Sequence, residues 1–348
     1  MKLNISRFKN IDGVSCYMVS VLYILQMLPD FVKFIKNVNL NNFNNTQIIY
    51  ELGKLLKISL NSNFKLSFNS LKTLLGQKDS IWCNGEQQDS QEFFSFIICK
   101  LEEEYGNKVI IIPQLLNNNN LNVNNSLLKI ISNNYINQSI RKDYSIIKDL
   151  FFGYLNSNTI CSYCESKSAC FESFLTLSLS IPIQKNTNMN QIFKLEDCLS
   201  NFTKSEKLDK DNKIYCDICG IKNQSIKNLS LWKLPKILVI HLKRFIINDY
   251  GIPISKIINP ILYPVDELDM TDYINDESPY KLNSKYKLIG INIHMAHLSI
   301  NYGHYISIIR NYANNEWYLF DDANKITKID LMNVQNRNAY LLFYMQIS

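Results

Sequence analysis

The chain has 348 residues, 46% of them hydrophobic and 12% aromatic, with a formal charge of +6. That length and apolar content exclude a disordered chain and supply a well-buried core. The lysines are dispersed, with no run of about five or more like charges, so the charge pattern gives no footprint for nucleic acid.

Near the N-terminus, Lys2, Arg7 and Lys9 precede an apolar run that superficially resembles a secretory signal. No small-residue cleavage site follows, Gln26 interrupts the run, and Pro29-Asp30 close it. The run is also too short to span a bilayer, and no later segment is longer. A soluble, intracellular protein without a membrane segment is expected. Residues 16 to 28 read as a buried helix ending before Pro29, with Cys16 at its mouth and Asp12, Gly13 and Ser15 forming a cap and turn. Residues 87 to 104 read as a second helix: Phe93, Ile97 and Leu101 repeat at i+4, as do Phe94 and Ile98. From 106 to 147 the chain is rich in asparagine, which favours turns, and a long loop or poorly ordered insertion is expected. Strand-like patterns follow at 171–182, 237–245, 285–294, 303–310, 316–322 and 338–345, with Tyr312–Asn315 as a hairpin turn. Helices first and strands later give an α+β order.

Nine cysteines in a long chain point to metal ligation or catalysis in a reducing compartment, not to a disulfide framework. Cys161-x-x-Cys164 and Cys216-x-x-Cys219 form two pairs separated by 51 residues. Two such pairs complete the four-thiolate shell of a structural Zn²⁺ site and leave no open position for water. The rival, a redox CxxC, lacks the βαβ context that motif needs. The long separation implies an extended hairpin module clasped at one end.

Cysteine is a nucleophile as thiolate, which a helix N-terminus and a nearby imidazolium both favour. Cys16 meets the first condition. Of four histidines, His304 opens a strand, and Asp321 lies seventeen residues on, at the end of the next strand. Antiparallel pairing would bring that carboxylate to the imidazole to fix its tautomer. By residue pattern alone, an inert core thiol and a structural histidine stand equally open.

Six blocks change that balance. GVSCYMVSVLYILQ, EQQDSQEFF, ICSYCESKSACFESFLTLSLSIP, CDICG with LPKILVIHLKRF, YKLIGINIH with GHYISII, and WYLFDD with AYLLFYM resemble, in order, the motifs of the ubiquitin-specific proteases. The resemblance implies a papain-like fold, with a helical thumb, a β palm and zinc-clasped β fingers. It implies one catalytic domain over 1–348: a thumb in 1–150 carrying the insertion at about 106–147, fingers in 151–235, and a palm in 236–348 with the histidine box. It implies a deubiquitinating thiol protease, cutting after the C-terminal glycine of ubiquitin through a thioester on Cys16. His304 is then general base and acid, Asp321 its orienting carboxylate, and Asp322 either polar support or a turn residue. Asp89 and Glu92 carry over as acids for the Arg-rich tail of ubiquitin, with Gln88 beside them, and His294 and Tyr305 flank a cleft that admits Gly-Gly. Met295 to Tyr302 becomes a mobile loop beside it. The family's oxyanion asparagine stands five residues before the nucleophile. Ile11 holds that position here, and Asn10 takes the role if one residue is inserted. The expected cofactor is one structural Zn²⁺ on Cys161, Cys164, Cys216 and Cys219. The expected partners are ubiquitin and its conjugates, with a monomer in the cytoplasm or nucleus and no nucleic acid. Two further readings share the resemblance: an inactive ubiquitin-binding relative, and a protease for another ubiquitin-like modifier.

Overall fold

A computed structural model describes residues 6–105, 132, 135–136, 145–184, 187–248, 250, 253–295 and 303–347. Most of the asparagine-rich segment and the loop at 296–302, with His297, lie outside the described residues.

Five helices open the chain: α1 (Cys16–Leu25), α2 (Pro29–Asn37), α3 (Ile48–Leu60), α4 (Asn69–Lys78) and α5 (Ser90–Tyr105). All ten residues of α1 are buried, as a helix apolar all round must be. As expected, the first helix ends before Pro29, at Leu25, and the chain then bends by 85°: proline takes the first position of α2, where its missing N–H costs nothing. Among the described residues no single helix is long and apolar enough to cross a membrane. Two short helices follow, α6 (Ile146–Phe151) and α7 (Leu195–Phe202).

The palm is a mostly antiparallel sheet. Its strands run, in spatial order, Thr327–Ile329, Trp317–Phe320, His304–Arg310, Lys285–Met295, Ala339–Gln346, Ile237–Lys243 and Thr176–Ser180, with Leu268–Asp269 on the side of Lys285–Met295. The last pair in the main path is parallel. Both faces are covered, which explains why ILVI at 237–240 is continuously apolar. Ile237 and Val239 join the core under α1, α5 and α6, while Leu238 and Ile240 join a second core with α7. Gly290 lets α1 approach the sheet closely, since a Cβ there would meet Ile24 Cγ2 at 3.1 Å.

The fingers are a four-stranded antiparallel sheet ordered Lys167–Phe174, Gly153–Cys161, Ser225–Lys233, Glu206–Leu208. A small hairpin, Ile214–Cys216 with Ile221–Asn223, sits at their tip. Two strands within 151–235 join the later part of the chain: Thr176–Ser180 forms the palm edge, with Leu177 and Leu179 buried in the palm core, and Phe193–Lys194 pairs with Ile261–Leu262.

Candidate active site and metal cluster

The loop before α1 is wound so that Cys16 heads the helix. Gly13 takes φ +76°, and Asp12 Oδ1 accepts from the N–H groups of Val14 and Ser15 and from the Ser15 hydroxyl. Lys72 on α4 clamps this turn, donating to Asp12 Oδ2 and, at 2.7 Å, to Ser15 Oγ. The backbone N–H of Cys16 lies in the first turn, where no intrahelical acceptor exists.

His304 opens its palm strand opposite the helix. Its Nε2 pairs with Asp321 Oδ1 at 2.6 Å, leaving Nδ1 for the Cys16 thiol. Hydrogen bonds to Cys16 and then to Asp321 outweigh partial burial and raise the imidazole to about 9. Structure thus gathers Cys16 with His304 and Asp321, from opposite ends of the chain, into one hydrogen-bonded line.

Asp322, with φ +41°, stays beside that line, its carboxylate within 4.8 Å of the His304 ring nitrogen and the Asp321 carboxylate. Its main-chain oxygen accepts from Tyr23 of α1 at 2.6 Å, and its Oδ2 accepts from Asn10 Nδ2 at 3.1 Å. Burial raises its carboxyl, and Oδ1 has no hydrogen-bond partner among the described residues. Asn10 also accepts from Ser15 N–H at 2.9 Å, so its carboxamide is fixed between Asp322 and the residue before the nucleophile. Ile11 packs instead against the thumb core.

The acid block lies at the start of α5. Asp89 accepts from the N–H of Gln91 at 2.6 Å and from the Tyr340 hydroxyl. Burial raises its carboxyl, and burial and then Asp89 raise Glu92. No Lys or Arg pairs with either acid among the described residues, so together they form an uncompensated anionic patch. Gln88 reaches Asn84 at 3.3 Å. Its neighbour Gln87, which sequence reasoning passed over, accepts from Gly303 N–H at 2.9 Å and so tethers the residue before His304. Its place beside Gln88 is the one signal that could have drawn attention to it.

His294 and Tyr305 lie beneath these groups as a stacked pair, centroids 4.5 Å apart, 1% and 5% exposed. Burial lowers His294 to about 3. In this state the pair presents no open face. His241 is half-buried, bonded to Ser178 at 3.1 Å, and lowered to about 4 by burial.

At the fingers tip the sulfur atoms of Cys161, Cys164, Cys216 and Cys219 all lie within 4.8 Å of one another. Two of the Sγ–Sγ distances are 3.9 Å (Cys161–Cys219) and 3.6 Å (Cys164–Cys216). A tetrahedron with metal–sulfur bonds of about 2.3 Å has edges of about 3.8 Å. The four thiols therefore match the shell of one metal ion, and none is in a disulfide.

A cysteine at a helix start, an imidazole bonded to it and a carboxylate behind define a thiol hydrolase, here on a thumb, palm and fingers frame. The ubiquitin carboxyl-terminal hydrolase family model matches residues 7–344, and the chain belongs to that family. It is 30% identical over 306 residues to ubiquitin carboxyl-terminal hydrolase 2 of Gallus gallus, covering 86% of this chain and 80% of the relative. It is 30% identical over 348 residues to probable ubiquitin carboxyl-terminal hydrolase R319 of Acanthamoeba polyphaga mimivirus, covering 89% and 71%. Among solved structures, a chain of the SAGA Ubp8/Sgf11/Sus1/Sgf73 DUB module bound to ubiquitin aldehyde superposes with a TM-score of 0.74. That match has 28% identity and covers 99% of this chain and 70% of the other.

Proposed function

We propose that the chain hydrolyses the peptide or isopeptide bond after the C-terminal glycine of ubiquitin, and that Cys16, His304 and Asp321 carry the reaction. The observation that carries this reading is the Cys16–His304–Asp321 line, in a chain that matches the ubiquitin carboxyl-terminal hydrolase family over nearly its whole length. Cys16 passes its proton to His304, its hydrogen-bond partner, as the sulfur becomes the nucleophile. Cys16 Sγ attacks the glycine carbonyl. Collapse of the tetrahedral intermediate breaks the C–N bond as His304 gives its proton to the leaving amine. The neutral imidazole then takes a proton from water, whose oxygen attacks the thioester, and the thiolate leaves with the imidazolium restored. Asp321 holds the ring orientation through both steps. The oxyanion falls to the N–H of Cys16 and the Asn10 carboxamide, a reading supported by the bonds that hold Asn10 to Ser15 N–H and Asp322 beside the nucleophile. Asp89 and Glu92 receive the arginines of the ubiquitin tail, supported by their lack of any cationic partner among the described residues. Gln88 lines the same stretch, and His294 and Tyr305 form the floor of the Gly-Gly channel.

The metal is Zn²⁺, held by Cys161, Cys164, Cys216 and Cys219, and it serves only to clasp the fingers. The protein acts as an intracellular monomer, in cytoplasm or nucleus, where four free thiolates persist.

The test is reaction with ubiquitin bearing a thiol-reactive C-terminal electrophile. A covalent adduct lost in Cys16→Ala supports the proposal. Binding without an adduct would make the chain a ubiquitin-binding relative, and neither binding nor adduct would redirect the search to another modifier.

A further inference from the structure

Four buried polar side chains lie one turn behind the nucleophile: Ser20, Ser90, Asn292 and Ser307, each 0–1% exposed. Side chains this deep are retained only when their hydrogen bonds close, and these do. The Ser90 hydroxyl donates to Asn292 Oδ1 at 2.8 Å, and Asn292 Nδ2 donates to Ser20 Oγ at 2.7 Å. The Ser20 hydroxyl donates onward to Tyr17 O at 3.1 Å. Asn292 and Ser307 are directly opposite on adjacent palm strands, and the Ser307 hydroxyl donates to Ser20 O at 2.9 Å. Ser20 is four residues from Cys16, hence on the same helix face. Ser307 is three residues from His304 on its strand, and Ser90 adjoins Asp89 at the head of α5. The Tyr305 phenol lies against the N–H and hydroxyl of Ser90.

One carboxamide therefore joins the helix of the nucleophile, the strand next to the general base and the helix of the acid block. Apolar contacts alone allow a buried helix to slide or rotate by fractions of an ångström. Directed hydrogen bonds at both ends of an amide do not. We propose that Asn292 is a positioning residue that sets the offset of α1 against His304 and α5, so that Cys16 meets the imidazole in reactive geometry. This rests on the thiol-hydrolase reading of the site.

The test compares wild type with Asn292→Leu, of similar volume, and with Ser20→Ala/Ser90→Ala/Asn292→Leu, which removes the hydroxyls together with their partner. Turnover of a fluorogenic ubiquitin C-terminal amide is read per active thiol, counted by the electrophilic ubiquitin adduct. Displacement of reacting atoms by a fraction of an ångström to an ångström costs on the order of tenfold to a hundredfold, so kcat should fall by that much in Asn292→Leu. KM should stay within about twofold, because tail contacts are untouched. The triple variant should recover part of the melting temperature, since it removes the Ser20 and Ser90 hydroxyls together with their amide partner and leaves only the Tyr305 phenol without the Ser90 hydroxyl, yet should not recover kcat. Alkylation of Cys16 by iodoacetamide needs no ubiquitin. Its rate at pH 7 should fall and its pH midpoint rise in both variants, as the thiol parts from the imidazolium. Unchanged kcat per active thiol, or recovery of both stability and kcat in the triple variant, would overturn the proposal and leave the network as core packing. Should Asn292→Leu not fold, the triple variant carries the same comparison. If wild type fails to turn over ubiquitin, the substrate reading falls, and the alkylation profiles still decide the role of Asn292.

Discussion

The fingers tip and the catalytic cleft are both built around cysteine, and they are organised oppositely. At the tip, four thiols come from two short turns, within 4.8 Å of one another, and the metal that fits them would itself be the fold's local glue. In the cleft a single thiol near the N-terminus meets an imidazole and a carboxylate almost three hundred residues on, and the positioning comes from protein side chains: Lys72 on the preceding turn, Tyr23 and Asn10 on Asp322, Gln87 on Gly303. Chelation should therefore separate the two regions more sharply than any substitution. Zinc in small thiolate modules contributes about 10 kcal/mol or more of apparent folding energy. A strong chelator, or Cys216→Ser, should unfold the fingers and abolish turnover of ubiquitin substrates. Iodoacetamide should still find Cys16 at close to its native rate, because the cleft shares no ligand with the tip. Loss of both together, by hydrogen exchange and alkylation, would break the contrast.

Within the cleft, Asp321→Asn has the next largest effect. The amide keeps the shape and loses the charge that holds the imidazole, and the comparable change in a serine triad costs about 10⁴ in kcat. It also moves the pH profile in a direction the structure fixes. His304 is raised to about 9, with Asp321 one of the raising partners. A raised histidine stabilises the fold fully below its unfolded value of about 6.5, and that contribution disappears as pH climbs through about 9. The alkaline limb of kcat/KM should thus sit near 9 in wild type and shift downward in Asp321→Asn, as stopped assays across pH would show.

Legibility follows the same division. The metal cluster could be read from the chain because each CxxC is a local pattern, and the two need only one long-range meeting. The triad was legible through blocks whose spacing is equally local. The amphipathic stripe of α5 followed from periodicity, and the nearly continuous apolar run of ILVIHLKRF marked a central strand, which it is, paired on both edges. Pro29 was legible as the limit of α1; what it did not reveal is that the same residue starts a second helix after an 85° bend. Asn292 and Ser307 were invisible for a different reason: a polar residue in KLIGINIH or HYISIIR looks like a lapse in a strand until partners on two other elements are known.

The acid block offers a milder test. Asp89 is a carboxylate raised by burial, so its charge opposes folding: the cost grows as pH rises through and above its unfolded value. In Asp89→Asn the side-chain oxygen can still accept from Gln91 N–H, while Nδ2 replaces the oxygen that accepted from Tyr340 and can donate to that hydroxyl instead. Its melting temperature should hold or rise at neutral pH. Charged hydrogen bonds contribute about 1.5–3 kcal/mol, so KM for ubiquitin substrates should rise by about tenfold to a hundredfold with kcat little changed. A fall in stability with unaltered KM would make Asp89 a helix cap only.

The smallest effect is expected one residue beyond the triad. Asp322 holds φ +41°, a conformation asparagine adopts several-fold more readily than most residues. In Asp322→Asn the side-chain oxygen can keep the Asn10 bond, and Tyr23 still reaches the main-chain oxygen. What disappears is a carboxylate with one buried, unpartnered oxygen and a pKa raised by burial. Stability should change by no more than about 1 kcal/mol, in the favourable direction at pH 7 and not at pH 4, since only the ionised form is penalised. Thermal melts at the two pH values check this. If the variant instead lost stability at pH 7, the charge on Asp322 would be part of what holds the nucleophile loop, and the cleft would depend on electrostatics one residue further out than its hydrogen bonds indicate.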